Sequence, residues 1–296
     1  MPLPHLLLAV AVMAVWGTNF VVIAFALEHL PPLLLAALRF ALVFFPLALF
    51  VKRPAGVSWR NLATYGVLIG AGQFGLLFLA MKDDITPGLA SLVVQSQIFF
   101  TIGLSMRLSG ERVGFYQWAA LALATSGIAI IFANSGGGAT PLGLGLVLLA
   151  ALCWAGGNIT ARGAKGAPML PYIVWSSVFA VPPLVVLAFV FEGWPAIEGG
   201  LRDADAASWA AVVWQSVGNT LFGYTAWQWL LARHPAAVVT PMALLVPIFG
   251  RSASAIVLHE PMPAWKLIAA GLVLAGLALN LLWPLLRERV RARGQA

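Results

Sequence analysis

Ten stretches of roughly 20 apolar residues, separated by short polar links, narrow what this chain can fold into more than any other feature. They run Leu3–Leu27, Pro32–Val51, Leu62–Met81, Pro87–Met106, Phe115–Ala133, Gly143–Ala161, Leu170–Phe191, Trp209–Leu231, Ala236–Leu258 and Trp265–Leu286. A stretch of that length crosses the hydrocarbon layer as a helix, because a backbone group left unpaired there is costly and a helix pairs its own. Hydrophobic residues fill 61% of the 296 positions and charged ones 9%, a mixture that no water-soluble fold of this length could cover. The expected fold is therefore all-α integral membrane, with ten transmembrane helices. The links Glu28–Pro31, Lys82–Thr86 and Arg233–Pro235 are too short to hold a soluble domain. The longest, Glu192–Ser208, reads as a polar connection with little apolar content. Leu3–Leu27 has no Lys or Arg before it and outruns the apolar core of a cleaved signal, so it reads as the first span.

The net charge of +7 raises the question of nucleic acid, but no folded basic domain exists to receive it, and nucleic acid is not expected as a partner. The basic residues mark sidedness instead. Lys52, Arg53, Arg60, Arg107, Arg112, Arg162, Lys165, Arg233, Arg287, Arg289, Arg291 and Arg293 fall on one side of the ten spans, and Lys82, Arg202 and Lys266 on the other. That excess places both termini in the cytoplasm. Asp83, Asp84, Glu192, Glu198, Asp203 and Asp205 then lie outside. The single cysteine, Cys153, sits in an apolar run, so no disulfide framework is possible.

Compared with itself, the chain repeats. Trp16-Gly17-Thr18-Asn19 recurs as Trp154-Ala155-Gly156-Gly157-Asn158. Pro87 through Gly110-Glu111 to Gly127 recurs as Pro235 through His259-Glu260 to Gly276, in the same order and at a similar offset. Each half, 1–134 and 140–286, holds five spans, and residues 287–296 form a basic cytoplasmic tail. Five is odd, so the second half enters the bilayer from the opposite side, with Glu111 inside and Glu260 outside. Two inverted five-helix repeats can exchange conformations and open one central site to each side in turn.

Trp16-Gly17-Thr18-Asn19-Phe20, Leu38-Arg39-Phe40, Ala90–Glu111 and Phe222–Gly250, with the paired helix-end glutamates, resemble the EamA-type members of the drug/metabolite transporter superfamily. The resemblance covers essentially the whole chain and extends to bacterial inner-membrane amino-acid exporters, the cysteine/O-acetylserine and YddG-type aromatic amino-acid exporters among them. It implies a ten-helix basket, its central cavity lined by the first four helices of each half, with the fifth and tenth peripheral.

Polar side chains inside a span mark either helix-helix hydrogen bonds or a pathway, and both readings stand for each residue alone. Gln73, Ser91, Gln95, Gln215 and Asn219 lie well within spans. Ser91, Gln95 and Phe99 are spaced by four, hence on one face of an α-helix, and Gln215, Asn219 and Gly223 likewise. Asn19 and Asn158 close the two repeated motifs. Trp16, Phe20, Phe74, Phe78, Phe99, Trp154, Trp175, Tyr224 and Trp227 fall within spans, whereas Trp59, Trp118, Trp194, Trp209, Trp265 and Trp283 fit an interfacial belt. Arg39 and Arg251 are the charges deep within spans; Arg39 either meets a substrate carboxylate or binds backbone carbonyls. The expected substrate-binding set is Trp16, Asn19, Arg39, Gln73, Phe74, Phe78, Ser91, Gln95, Phe99, Trp154, Asn158, Trp175, Asn219 and Tyr224. Gly70, Gly72, Gly218, Gly223, Pro241 and Pro247, where a helix loses side-chain bulk or a hydrogen bond, are the expected hinges.

No acidic residue lies near the middle of a span, and proton-coupled carriers commonly embed one, so facilitated export is expected. His5, His29, His234 and His259 stand at span ends far apart, and no HExxH, GxSxG or phosphate loop occurs, so neither an enzyme, a metal nor a cofactor is expected. The sequence thus points to an inner-membrane exporter of amino acids, aromatic and other neutral ones, and related metabolites. Broad drug and metabolite efflux by the same fold, and a channel, are the alternatives. Its partners are a small-molecule substrate, an amino acid or derivative, and the lipid bilayer; nothing requires a second copy.

Overall fold

The computed structural model describes residues 2–109, 115–134, 138–164, 166–233, 242–243, 245–259 and 263–293. All regular structure among them is helical, with one isolated bridge between Ile85 and Ala139. Helix α1 is Leu3–His29 and α2 is Pro32–Phe44. Helix α3, Trp59–Asp83, carries a π-helical segment over Leu68–Gly75. Helix α4 comprises Pro87–Val93 and Gln97–Ser109, joined by a 3₁₀ turn at Val94–Ser96. Then come α5 (Phe115–Ala133), α6 (Pro141–Arg162) and α7 (Met169–Leu187), which runs into a π turn at Ala188–Glu192. Helix α8 is Gly193–Asp203. Helix α9 comprises Ala206–Val213 and Thr225–Arg233 with the π segment Trp214–Tyr224 between them. Helices α10 (Leu245–Val257) and α11 (Ala264–Arg293) follow. Among the described residues five helical stretches are long and apolar enough to cross a membrane: Leu3–His29, Pro32–Leu49, Trp59–Asp83, Pro141–Ala161 and Met169–Asp203.

Local chemistry sets the boundaries. Proline opens α2, α4 and α6, where its missing N–H would have no partner anyway. Ser58, Thr140 and Asp205 cap α3, α6 and α9 by accepting from the N–H of Asn61, Gly143 and Ser208. The second span ends earlier than its apolar run: α2 stops at Phe44 because Pro46 follows, and Leu47–Leu49 continues only as a 3₁₀ turn. The connection after Phe191 is not an irregular polar loop. It folds as α8, whose Ile197 and Gly200 are buried, with Gly200 pressed against Pro31 and the His29 carbonyl. Glu192 at the start of this connection sends both carboxylate oxygens to the first turn of α2, accepting from Leu33 N at 2.5 Å and Leu34 N at 3.1 Å. A carboxylate suits that position, where orphan N–H groups and the helix dipole converge.

The helices pack in a definite pattern: α1 against α10 and α9, α2 against α7 and α9, α3 against α6 and α7, α4 against α6 and α10, α5 against α11. Gly17 and Gly250 allow two of these close contacts. A Cβ on Gly17 would stand 2.5 Å from Phe249 Cβ, and one on Gly250 2.8 Å from Ser91 Cβ. Hydroxyls within the helices bond back to their own turns, as Thr18 does to Ala14 O (2.7 Å) and Ser177 to Ile173 O (2.8 Å), so they leave no polar group toward lipid. Trp59, Trp118, Trp194, Trp209 and Trp283 are exposed, while Trp265 is half-buried.

Candidate functional site

The site is built around Arg39. Its side chain is fully buried on α2 and hydrogen-bonds three residues of one π segment on α9: Nε donates to Thr220 Oγ1 (2.9 Å), Nη1 to Gln215 Oε1 (2.9 Å) and Nη2 to Asn219 Oδ1 (2.7 Å). The guanidinium also lies 3.6 Å from the centroid of the Phe74 ring, and Ser216 donates to the Arg39 carbonyl at 3.0 Å. The π turn makes this possible. Thr220 Oγ1 bonds back to Gln215 O five residues earlier (2.9 Å), the wide spacing of a π-helix, which brings 215, 219 and 220 to one side.

Arginine has donors only, so it dictates the orientation of the amides around it. Gln215 must present Oε1 to Arg39. Asn19 then meets that same oxygen with Nδ2 (3.2 Å), which turns Asn19 Oδ1 away. Asn19 Oδ1, Gln73 Oε1 and Gln215 Nε2 are buried without a hydrogen-bond partner. Leaving such a group unpaired typically costs about 1–3 kcal/mol, so these atoms mark a place where a bound molecule belongs.

Asn19 and Gln73, though not Gln215, line a narrow central cavity with about 460 Å³ of empty space. Among the expected residues, Trp16, Asn19, Gln73, Phe74, Gln95, Trp154, Asn219 and Tyr224 line it together. Trp16 is fixed by donating its indole N–H to Asn219 O (3.2 Å) and by packing on Tyr224, ring centroids 5.3 Å apart. Among the described residues no Asp, Glu, His, Lys or Arg lines the cavity; Arg39 stands one side chain behind the wall, through Asn219 and Phe74.

The remaining expected residues lie elsewhere. Phe78 is buried behind Phe74, centroids 5.8 Å apart. Ser91 donates to Gly88 O (2.8 Å) and packs on Gly250, and Phe99 packs on the core. The expectation that Ser91, Gln95 and Phe99 share a face gives way because the 3₁₀ turn at Val94–Ser96 interrupts the α-helical register between them. Asn158 donates to Gln97 Oε1 (3.1 Å). Trp175 donates to Val51 O (2.9 Å) and packs edge-on against Trp59, so it groups with a residue of the expected belt.

Of the expected hinges, Gly70 and Gly72 fall in the π segment of α3, and Gly218 and Gly223 in that of α9. Gly70 packs on Ala180, Gly72 on Cys153 and Gly223 on Trp16. Pro247 is buried within α10. Pro241 lies outside the described residues, as do Glu111, Arg112, Lys165, His234, Pro235 and Glu260. Gln215 and Thr220 hold Arg39 in place although only Gln215 stands out in sequence, as an amide within a span; Thr220 carries no signal without knowledge of the π turn.

A helical, apolar chain with a buried amide and aromatic cavity at the meeting of its halves is a membrane transporter by architecture. The EamA-like transporter family matches it twice, at residues 3–133 and 141–282, and the chain belongs to that family. A protein of Salmonella typhimurium named "Probable amino-acid metabolite efflux pump" is 38% identical over 293 residues, covering 97% of this chain and 98% of that one. One of the same name from Escherichia coli is 36% identical over 290 residues, covering 96% and 97%. A solved crystal structure is 20% identical with a TM-score of 0.64, covering 98% of this chain and 99% of that one, a likeness of fold alone.

Proposed function

We propose that this transporter exports amino acids, neutral and aromatic ones among them, and related metabolites across the bacterial inner membrane by alternating access. The observation that carries the reading is the central cavity: amide groups and aromatic rings from both halves, no acidic or basic side chain on the wall among the described residues, and a guanidinium behind Asn219. A substrate with one apolar side chain and a compact polar end fits such a wall. The names of the relatives from Salmonella typhimurium and Escherichia coli agree with it.

In this reading the chain crosses the bilayer ten times, as two inverted five-helix repeats over 1–134 and 140–286, with a basic tail over 287–296 and both termini cytoplasmic. The helix pairing supports it. Exchanging α1 with α6, α2 with α7, α3 with α9, α4 with α10 and α5 with α11 turns the α1·α10 contact into α6·α4, α3·α6 into α9·α1 and α3·α7 into α9·α2, and leaves α2·α7, α4·α10 and α5·α11 unchanged. The π segments of α3 and α9 also correspond, and their glycines would serve as hinges that let the cavity open to either side.

Uptake of labelled amino acids, including aromatic ones, methionine, threonine and cysteine, into liposomes holding the full chain, beside unrelated cationic drugs, is the test. Saturable counterflow of amino acids is expected. Transport of the drugs alone overturns the reading.

A further inference from the structure

Resting on the amino-acid reading for its substrate class, we propose that the cavity receives the ammonium end of its substrate on the side-chain oxygen of Asn19, with the Gln73 oxygen as a second acceptor. The orientation of Asn19 is forced. Arg39 Nη1 can only donate, so Gln215 shows it an oxygen; Asn19 approaches that oxygen at 3.2 Å and must show it Nδ2. Its own Oδ1 is left turned away, buried and without a partner, on a residue that is 3% exposed at the cavity wall. Gln73, also 3% exposed on the same wall, leaves Oε1 without a partner.

Two vacant acceptors on one cavity call for a donor with more than one N–H, and a primary ammonium has three. The other surfaces agree in sign. Trp16, Trp154 and Tyr224 bring π-rich rings to the wall, and among the described residues no basic side chain lines it to repel a cation. The positive charge nearest the cavity, Arg39, sits behind Asn219, whose Oδ1 it holds. Asn219 Nδ2 and that guanidinium suit the carboxylate end, so the polarity of a zwitterion matches the polarity of the wall. Neutral acceptors hold an ammonium without forming the buried ion pair that would retain it, which suits a site that must release its load.

The experiment uses the full-length protein in detergent and follows the shift of its thermal midpoint with three probes of one skeleton: L-phenylalanine, phenethylamine, which keeps only the ammonium, and 3-phenylpropanoate, which keeps only the carboxylate. Phenethylamine is expected to bind at least about tenfold more tightly than 3-phenylpropanoate, since the acceptors left unpaired by the carboxylate probe are buried. Asn19→Leu is expected to remove that preference. Gln73→Glu, which keeps an acceptor and adds charge, tightens phenethylamine and weakens 3-phenylpropanoate, and it serves as the test if Asn19→Leu does not fold. Equal binding of the two probes by the natural protein overturns the proposal, as does a preference for phenethylamine that both variants leave unmoved. An Asn19-dependent preference in a protein that carries no amino acid in liposomes leaves the ammonium site standing and defeats the amino-acid reading instead.

Discussion

Arg39 Nη2 donates to Asn219 Oδ1 at 2.7 Å, joining two residues 180 positions apart and tying α2 of the first half to α9 of the second. With the bonds to Gln215 and Thr220, this one side chain fixes a wall of the cavity and holds two helices of opposite halves in register. Its charge has no carboxylate partner among the described residues. It is met instead by three neutral acceptors and the Phe74 ring.

Arg39→Lys therefore fails despite keeping the charge. An ammonium cannot reproduce a planar fork that serves 215, 219 and 220 at once, and at least one buried acceptor is left unpaired. A loss of about 1–3 kcal/mol, which is roughly fivefold to 150-fold in counterflow rate, is expected. Initial rates in proteoliposomes, normalised to folded protein by gel filtration, are the measurement; a lysine variant as active as the natural chain removes Arg39 from the site.

Close approach of α3 and α7 at Gly70 gives a second expectation. A Cβ there lands on Ala180 Cβ and 3.0 Å from its Cα, which is backbone and cannot move aside. Gly70→Ala is expected to destabilise by about 1–3 kcal/mol through overpacking. Gly103→Ala, on an exposed position of α4 with nothing within 4 Å, is the matched control and gains up to about 1 kcal/mol of helix propensity. Thermal unfolding of the two variants in one detergent decides it, and equal midpoints count against the contact.

The helical, membrane-spanning character was legible because apolar run length and helix-breaking residues are read directly, as at Pro32 and Pro87, which open helices where expected. Function was legible through amides and aromatics that have no business in lipid, and eight of those singled out line one cavity. What escaped was register. Face arguments built on a four-residue spacing assume an unbroken α-helix, and α3, α4 and α9 each leave it beside the site. Thus Gln95 reaches the cavity while Ser91 does not, and Thr220 reaches Arg39 although an α-helical wheel separates it from Gln215. The helix α8 escaped for another reason: its apolar Trp194, Ile197 and Leu201 are spaced for one amphipathic face but diluted among glycines and charges.

Asp205 gives a pH dependence outside the spans. The Ser208 backbone N–H and hydroxyl, each 2.8 Å from Oδ1, hold its carboxyl below the usual range near about 4. A folded-state value below the unfolded one stabilises at pH above the unfolded value and is lost as pH falls through the folded one. Asp205→Asn keeps the cap but not the charge, so its thermal midpoint should lie below that of the natural chain at pH 7 and converge with it as pH drops below about 4. A constant gap across that range would mean that the charge plays no part.

Energy coupling follows from the cavity wall. A proton-driven exporter needs a group at the substrate site that gains and loses a proton in each cycle, and substrate and proton must compete for it or bind there together. Among the described residues no Asp, Glu or His lines the cavity, and Arg39 stands behind Asn219. Glu28, Asp84 and Glu192 stand at helix ends; Glu192 is already engaged by Leu33 and Leu34, and Asp84 by Thr140 (2.6 Å). Amino-acid flux in proteoliposomes should accordingly follow the solute gradient, and an imposed gradient of about two pH units should change its initial rate by less than roughly twofold, well under the effect expected of an embedded carrier group. Uphill accumulation driven by the pH gradient would place a proton carrier in the transport path. Glu192→Gln would then be the first variant to examine, because α2, whose N-terminus that carboxylate caps, also carries Arg39 and so links that end of the bundle to the site.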